Sequence, residues 1–210
     1  MKSYGQYCAL AKALDVIGDR WTLLIVRELL IRGSCRYTDI RDGLPGIATN
    51  LLAARLDELE KAEVIERFEA PPPVAAALFR LTPRGRELEA PLRAIGRWGH
   101  PLLKSAPKSD AFRSHWLVLP ATGVLKDHRP DRPPVAIELR AGDEPVTVEA
   151  AGGEVRVRPG AADNPDAVLT GSPRVIVALI RGEMDLKEAR KAGLRFDGNA
   201  DAVKRVQPNA

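Results

Sequence analysis

One segment constrains the fold of this 210-residue chain more than any other. Residues 49 to 64 read TNLLAARLDELEKAEV. On a helical period Leu52, Leu56 and Leu59 share one face, which predicts an amphipathic helix packed on a core. The outward face starts with small and hydrogen-bonding residues such as Asn50 and becomes acidic in its second half. If this helix binds DNA, the phosphates repel its acidic half, and only its N-terminal end can approach the duplex. Taken alone, the segment is more typical of an ordinary bundle helix.

The preceding segments favour a helix-turn-helix. Residues 4 to 17 and 21 to 30 have the apolar spacing of two helices, and the second is apolar on nearly all sides. A short third helix is expected with Thr38 as its cap, and the LPGI turn at residues 44 to 47 leads into the helix described above. Thr49 is expected to cap that last helix. Helix, tight turn and helix is the helix-turn-helix pattern. The expected core residues of the second helix are Trp21, Leu24, Ile25, Leu29 and Leu30.

A two-stranded ribbon and a long closing helix are predicted next. Residues 64 to 69 alternate apolar and polar side chains, and residues 78 to 81 resume an extended pattern, while the three prolines between them prevent ladder pairing. A threonine-proline pair then begins a helix whose apolar face runs to Leu102. Pro91 is expected to bend this helix, because it removes one backbone hydrogen bond. Three helices, a ribbon and a closing helix predict a winged helix-turn-helix domain.

Three blocks of this domain resemble the HxlR family of bacterial winged-helix regulators. They read CALAKALDVIGDRWTLLIVRELL, RYTDIRDGLPGIATNLLAARLDELEKAEVIER and FRLTPRGRELEAPLRAIGRWG, and together they span about residues 5 to 102. The resemblance implies a homodimer, joined through the first and last helices of the domain, that binds a near-palindromic double-stranded DNA operator. The wing departs from the family because its tip, PPPVAAA, is uncharged. Insertion of a tip arginine into the minor groove is therefore not expected. The residues assigned to the dimer interface are Leu92, Ile95, Trp98 and Leu102.

The candidate DNA-binding residues lie in the third helix, in the helix at residues 49 to 64, here called the recognition helix, and in the ribbon. Asn50 is expected to contact base edges, because an amide can read them, and the small Ala53 lets the helix sit close to the groove. Hydroxyl groups and arginines are expected on phosphates. Arg55 has an alternative role in an ion pair with Glu58 or Asp19, and the ribbon arginines have the alternative of being solvated strand residues. The full set is Arg36, Tyr37, Thr38, Thr49, Asn50, Ala53, Arg55, Arg67 and Arg80.

Two cysteines are too few for a disulfide scaffold, and they have no zinc-binding spacing. Cys8 stands where HxlR relatives commonly keep a cysteine that senses oxidants in several members, so the resemblance implies redox sensing there. The alternative is that Cys8 is a small buried apolar residue. Cys35, in a loop, is expected to be the more exposed thiol.

The composition narrows the remaining functional classes. A net formal charge of +4 is compatible with a polyanionic partner. The chain has no signal-peptide core or membrane-spanning apolar run, so a cytoplasmic protein without membrane contact is expected. No metal-ligand spacing, phosphate loop or catalytic constellation stands out, which predicts no catalytic residues, no metal, no cofactor and no enzyme activity.

The second half predicts a different domain. Residues 135 to 140, 145 to 149 and 154 to 158 alternate like the strands of an antiparallel meander. A helix capped by Ser172, a short strand near residue 195 and a last helix follow. This order, and the stretch NPDAVLTGSPRVIVALIRGEMDLKEARKAGLRFDGNADAVKRV, resemble the sterol-carrier-protein-like domain over about residues 112 to 207. The resemblance implies a cavity for a small apolar or lipid-like ligand. Its candidate lining, with plain core as the alternative, is Val177, Leu179, Ile180 and Leu194.

The sequence therefore predicts an α+β protein: a winged helix-turn-helix domain at residues 1–105 and, at residues 106–210, an α/β sandwich-like domain with an antiparallel sheet. The leading hypothesis is a homodimeric bacterial transcription regulator whose second domain senses a small apolar ligand or braces the dimer. One alternative is a carrier of lipids or small molecules that uses its winged helix only to dimerise. The other alternative is an enzyme acting on an apolar substrate. The absence of an identifiable nucleophile or acid-base pair in the sequence disfavours it.

Overall fold

A computed structural model describes residues 3–71, 76–107 and 109–208. The chain divides into two compact units, Met1–His100 and Pro101–Ala210, here called unit 1 and unit 2. The sequence-based boundary at residue 105 coincides with the end of a 3-10 helix, His100–Ser105. Among the residues described, no helix is long and apolar enough to cross a membrane.

Unit 1 combines helices with a small antiparallel sheet. Its helices are α1 (Ala9–Ile17), α2 (Thr22–Arg32), α3 (Tyr37–Asp42), α4 (Thr49–Lys61), α5 (Pro83–Arg86) and α6 (Glu89–Gly99). Its strands are β1 (Cys35–Arg36), β2 (Ile65–Glu69) and β3 (Ala77–Leu81), in the order β1-β3-β2. The winged helix-turn-helix prediction is confirmed in its element order. Strand β1 was not predicted, because two residues are too few to show an alternating pattern.

Helix α4 has the predicted apolar face. Leu52, Leu56 and Leu59 are all buried in the core of unit 1. The predicted cap was wrong: Ala48 is the N-cap residue and offers no side-chain hydrogen bond, while Thr49 is already helical. Thr38 does not cap α3 either, since it lies inside that helix.

The start of α3 is stabilised by a carboxylate instead. Asp39 Oδ2 accepts a hydrogen bond of 2.8 Å from the backbone N–H of Arg36. In α2, Leu24 was expected in the core but is 40% exposed. The predicted all-round apolar helix therefore keeps one face outside the core of its own unit.

The predicted long closing helix is broken into two. Helix α5 ends at Arg86, and α6 begins at Glu89, with Leu88 as its N-cap residue. Pro91 falls in the first turn of α6, where a missing N–H costs little. The proline therefore accompanies a new helix start and does not bend a continuous helix.

A buried carboxylate fixes α2 against the turn that follows α3. Glu28 is fully buried, and its Oε1 accepts hydrogen bonds of 3.0 and 2.8 Å from Nε and Nη2 of Arg27. Arg32 Nε lies 3.7 Å from Glu28 Oε2. Arg27 Nη2 also donates to the carbonyl of Gly43 at 3.3 Å. A Cβ at Gly43 would stand 2.0 Å from Glu28 Oε2, so any other residue here would force the buried Glu28 carboxylate to move.

Unit 2 is built on a five-stranded sheet. Its strands are β4 (Val135–Arg140), β5 (Pro145–Ala151), β6 (Glu154–Pro159), β7 (Ala167–Thr170) and β8 (Arg195–Gly198), in the order β6-β5-β4-β7-β8. Its helices are α7 (Val118–Val124), α8 (Pro173–Ile180), α9 (Leu186–Lys191) and α10 (Ala200–Val206), with a 3-10 turn at Ser114–Leu117. Ser172 caps α8, as predicted, by accepting from the amide of Val175.

The sheet of unit 2 is mixed, so its description as antiparallel was incomplete. Strands β4, β5 and β6 form the predicted meander, but β7 pairs with β4 in parallel. The buried carboxylate of Glu138 on β4 helps to hold the connection between β6 and β7, since its Oε2 accepts from the amide of Ala162 at 3.0 Å. Alternation in the sequence identifies a strand but not the direction in which it pairs.

A buried ion pair joins α10 to the segment before β4. Both oxygens of Asp127 accept from Arg205, at 2.7 Å from Nε and 2.9 Å from Nη2. The same carboxylate accepts from the amides of Arg129 and Gly153, and Arg205 Nη1 donates to the carbonyl of Pro133 at 2.6 Å. Hydrogen bonds from Arg205 hold the pKa of Asp127 well below its ordinary value of 3.8.

We expect Asp127→Asn to lower the free energy of unfolding of unit 2 by about 3 kcal/mol at pH 7, because the substitution leaves the Arg205 charge buried without its partner. The pKa of Asp127 is lower in the folded state, so its contribution is complete above about pH 4 and is lost as the pH falls towards the folded pKa. Urea denaturation followed through amide NMR signals of unit 2 should show the difference between natural protein and variant narrowing below pH 4. A difference independent of pH would contradict this account.

Candidate nucleic-acid interface

The N-terminal turn of α4 presents a compact polar surface. Thr49, Asn50 and Ala53 are exposed, as predicted for the outward face of this helix. Asn50 Oδ1 accepts from the amide of Leu51 at 3.0 Å, which bends the side chain back over the helix start. Ala48 supplies no side-chain cap, so the positive end of the helix dipole at this first turn faces outward and favours an anion such as a phosphate.

One hydrogen bond fixes the recognition helix α4 against α3. The hydroxyl of Tyr37, at the first position of α3, donates to the carbonyl of Thr49 at 2.7 Å. Tyr37 is half-buried and packs against the core of unit 1. Its hydroxyl hydrogen is thus committed within the fold, and a phosphate contact of Tyr37 stays a prediction. The neighbouring Thr38 is exposed.

The strand register separates the arginines of the wing. Arg36 lies opposite Leu78 on β3, and Arg80 stands two residues further along β3, so Arg36 and Arg80 share one face of the sheet. Arg67 lies opposite Phe79 and belongs to the other face. Residues 72–75 at the predicted wing tip lie outside the described residues.

Both wing arginines have local partners. Arg80 Nε contacts Glu66 Oε1 at 2.6 Å, and its guanidinium lies 4.5 Å from the ring centre of Phe68. Arg67 stands 4.0 Å from Glu69. Exposed pairs of this kind exchange readily for a phosphate, because they contribute only about 0–1 kcal/mol.

Arg55 takes the role that was its alternative. Its Nη1 contacts both Glu58 in the same helix and Asp19 in the turn before α2. The guanidinium is largely buried, and its Nε has no hydrogen-bond partner among the described residues. Arg55 therefore joins α4 to the α1–α2 turn, and two carboxylates already neutralise its charge. A phosphate contact by Arg55 stays a prediction that requires one of these pairs to open.

The two outer helices of unit 1 expose large apolar side chains. On α6, Ile95 is 50% and Trp98 78% exposed, and on α1 Leu10 is 68% exposed. Leu92, also assigned to the dimer interface, is half-buried against the core of unit 1. Leu102, the fourth predicted interface residue, is exposed in the 3-10 helix that follows α6. Large apolar side chains left exposed in this number are compatible with a protein interface.

Comparison with known proteins identifies the first unit. A family model described as HxlR-like helix-turn-helix matches residues 16–106. YvaP of Bacillus subtilis, described as an uncharacterized HTH-type transcriptional regulator, is 37% identical over 87 residues, which cover 41% of this chain and 80% of YvaP. The chain belongs to the HxlR-like helix-turn-helix family.

Other members of the family extend the comparison. The HTH-type transcriptional regulator YodB of Bacillus subtilis is 34% identical over 86 residues, which cover 41% of this chain and 76% of YodB. The solved structure of reduced YodB aligns with a TM-score of 0.42 at 29% identity, covering 49% of this chain and 100% of that one. YvaP and YodB thus each align with less than half of this chain.

The second unit has a family of its own. The model of the SCP-2 sterol transfer family matches residues 133–209. Both resemblances stated from the sequence are therefore confirmed at the level of the family. The chain combines an HxlR-like unit with an SCP-2 unit.

The two thiols of the HxlR-like unit occupy opposite environments from those expected. Cys8 is exposed at the start of α1, whereas Cys35 on β1 is buried. Burial raises the pKa of the Cys35 thiol to about 12, so this thiol stays protonated and unreactive near neutral pH. The expectation that Cys35 is the more exposed thiol was wrong. Redox sensing at Cys8 stays a prediction.

The four candidate ligand-binding residues of unit 2 belong to its interior. Leu179, Ile180 and Leu194 are buried, and Val177 is half-buried. An open groove of about 1160 Å³ lies elsewhere in unit 2, and none of the four lines it. Across the described parts of the chain, no group of three His, Cys, Asp or Glu residues is arranged to hold a metal ion.

Tyr37→Phe should lower the free energy of unfolding of unit 1 by about 0.5 kcal/mol, because the Thr49 carbonyl loses a hydrogen-bond donor in a solvent-exposed contact. The measurement is urea denaturation followed through amide signals of α3 and α4. Tyr4→Phe, at an exposed tyrosine outside the core, is the matched control. Equal effects of the two substitutions would show that the hydroxyl of Tyr37 does not hold the two helices together.

Proposed function

We propose that this chain is a sequence-specific DNA-binding transcriptional regulator that acts as a homodimer and responds to a small ligand through unit 2. The observation that carries the proposal is the first turn of α4. Thr49 and Asn50 in this turn are exposed, and the hydroxyl of Tyr37 holds the helix start in place without DNA. Membership in the HxlR-like family supports it, because its curated relatives YvaP and YodB are described as HTH-type transcriptional regulators.

The proposed DNA contacts fall into two classes. Asn50 reads base edges from the start of α4, with Ala53 and Thr49 next to the groove. Arg36, Thr38 and Arg80 supply phosphate contacts, which set affinity for any sequence. Arg36 and Arg80 share one face of the sheet, and this arrangement favours Arg80 over Arg67 as the wing residue that acts together with Arg36. The acidic second half of α4 stays away from the phosphates.

Selection of the full chain on random duplex DNA tests the proposal. An inverted repeat should emerge, with half-site centres separated by about one helical turn or a multiple of it. If no repeat is enriched, the carrier hypothesis takes the place of this proposal, with the winged helix acting only in dimerisation.

Substitutions at the two classes of contact should have different effects on DNA binding. Asn50→Ala should reduce discrimination between the selected site and single-base variants by about 1–3 kcal/mol at the position it reads. Arg36→Ala should weaken binding to all sequences and lower the salt slope by about 1. Electrophoretic mobility shifts at several salt concentrations measure both quantities. Lys61→Ala, at the exposed C-terminal end of α4, is the control and should leave both unchanged.

The exposed apolar residues of α1 and α6 are the proposed dimer interface. Trp98→Glu should convert the dimer to a monomer at micromolar concentration, because it places a carboxylate in an apolar contact. Sedimentation equilibrium measures the change. Ser34→Glu adds the same charge at an exposed loop residue and should leave the dimer intact. A natural protein that is already monomeric would contradict this part of the proposal.

A further inference from the structure

Unit 2 contains an open groove between α9, α10 and the segment at residues 128–129, here called the α9–α10 groove. Its volume of about 1160 Å³ is large enough for a small organic molecule. The residues that expose charge towards it are Arg129, Lys187, Arg190, Lys191 and Lys204. The four apolar residues proposed from the sequence as ligand-binding do not line this groove.

Four of the basic side chains that line the groove have no ion-pair partner among the described residues. No carboxylate of the described residues forms an ion pair with Arg129, Lys187, Arg190 or Lys191, whereas many other arginines of the chain have one within 4.0 Å. Lys204 has only a distant contact with Asp201, at 3.9 Å. Spacing at three and four residues puts Lys187, Arg190 and Lys191 along one side of α9.

The acidic residues near the groove offset only part of this positive charge. Asp185 lines it, but its Oδ1 accepts from the amide of Glu188 at 2.7 Å as the cap of α9. Asp127 is occupied by Arg205, the groove arginine that is buried and already paired. Beside the paired Arg205, five basic side chains therefore line the groove against one carboxylate, that of Asp185, and this excess of positive charge attracts anions.

The groove also has an uncharged part. Met184, Leu186 and Ala200 line it and are half-buried, so their exposed portions offer apolar surface to a ligand. A bare inorganic ion would leave this surface in water. An anion attached to an uncharged body would use both the charge and the apolar contact.

We propose that the α9–α10 groove binds a small phosphorylated molecule that carries at least two negative charges and an uncharged body. This proposal deepens the ligand-responsive part of the proposed function. Phosphate groups suit the site because they offer several acceptor oxygens to arginine and lysine within a small volume. Four cations without ion pairs match a multiply charged ligand better than a single carboxylate. The concave shape favours a small molecule over duplex DNA, which presents a convex surface.

Isothermal titration calorimetry of the full chain tests the proposal with three probes. Adenosine triphosphate carries a triphosphate and an uncharged body, tripolyphosphate carries the charge alone, and citrate carries comparable charge on carboxylates. Adenosine triphosphate should bind more tightly than tripolyphosphate, and both should bind more tightly than citrate. The double variant Lys187→Gln with Lys191→Gln should weaken binding of adenosine triphosphate by about tenfold or more, or about 1.4 kcal/mol.

A matched double variant controls for net charge. Arg156→Gln with Arg195→Gln removes two exposed cations from strands β6 and β8, away from the groove lining, and should leave binding within about twofold. Equal weakening by the two double variants would show bulk attraction and overturn the site. Equal binding of citrate and tripolyphosphate would overturn the choice of phosphate.

Duplex DNA is the remaining occupant to test. If none of the three probes binds, while the Lys187 and Lys191 substitutions weaken DNA binding, the groove is a DNA contact and the proposal fails. The calorimetry uses no DNA, so its outcome is separate from the random-duplex selection. A chain that binds adenosine triphosphate in this groove but selects no DNA site would overturn the regulator function and leave the groove assignment standing.

Discussion

The HxlR-like unit depends on one buried carboxylate. Glu28 sits in the middle of α2 with no exposure to solvent, and Arg27, Arg32 and the closely packed Gly43 surround it. A buried carboxylate without partners is costly, and here both partner arginines lie on α2 itself. Arg27 also donates to the carbonyl of Gly43, and Gly43 packs against the carboxylate, so the same group of residues ties α2 to the turn after α3. That turn leads directly into α4, so this buried contact helps to position the helix.

The surface of the same unit shows how rigidity and recognition are divided among residues. Tyr37 and Arg55 hold the first half of α4 to the rest of the unit, Tyr37 through a hydrogen bond at Thr49 and Arg55 through an ion pair with Asp19. Asn50 lies between these contact points in the chain and remains exposed, and its side chain accepts a local hydrogen bond from the amide of Leu51. Side chains held in place beforehand lose less conformational entropy when a partner binds.

The sequence predicted the parts of the structure that periodicity can express. The apolar face of α4, the meander of β4 to β6 and the cap at Ser172 were all correct, because each depends on neighbours in the chain. Burial of Cys35 was missed, since it depends on pairing with β3 from a distant segment. The break before α6 was also missed, because Pro91 was expected to bend one long helix but lies in the first turn of a new one.

Some of the candidate sites were less accessible to such reasoning. Val177 and Leu194 were chosen for their apolar character, which does not separate a cavity wall from a packed core. The basic residues of α9 do have a readable signal, because Lys187, Arg190 and Lys191 recur at helical spacing. Whether such a helix face pairs with a carboxylate or stays in solvent depends on residues far away in the chain. Here the carboxylate of Asp127 pairs with Arg205 and not with the cations of α9.

The pair of Asp127 and Arg205 also bears on the order in which the protein folds as it is made. The two residues are 78 positions apart, so unit 2 cannot close until the ribosome has released α10. The core of the HxlR-like unit, by contrast, is complete once residue 92 has emerged. Domains generally fold as units during synthesis, N-terminal first. The nascent chain is therefore expected to carry a folded HxlR-like unit at a stage when Asp127 is still hydrated and not yet paired with Arg205.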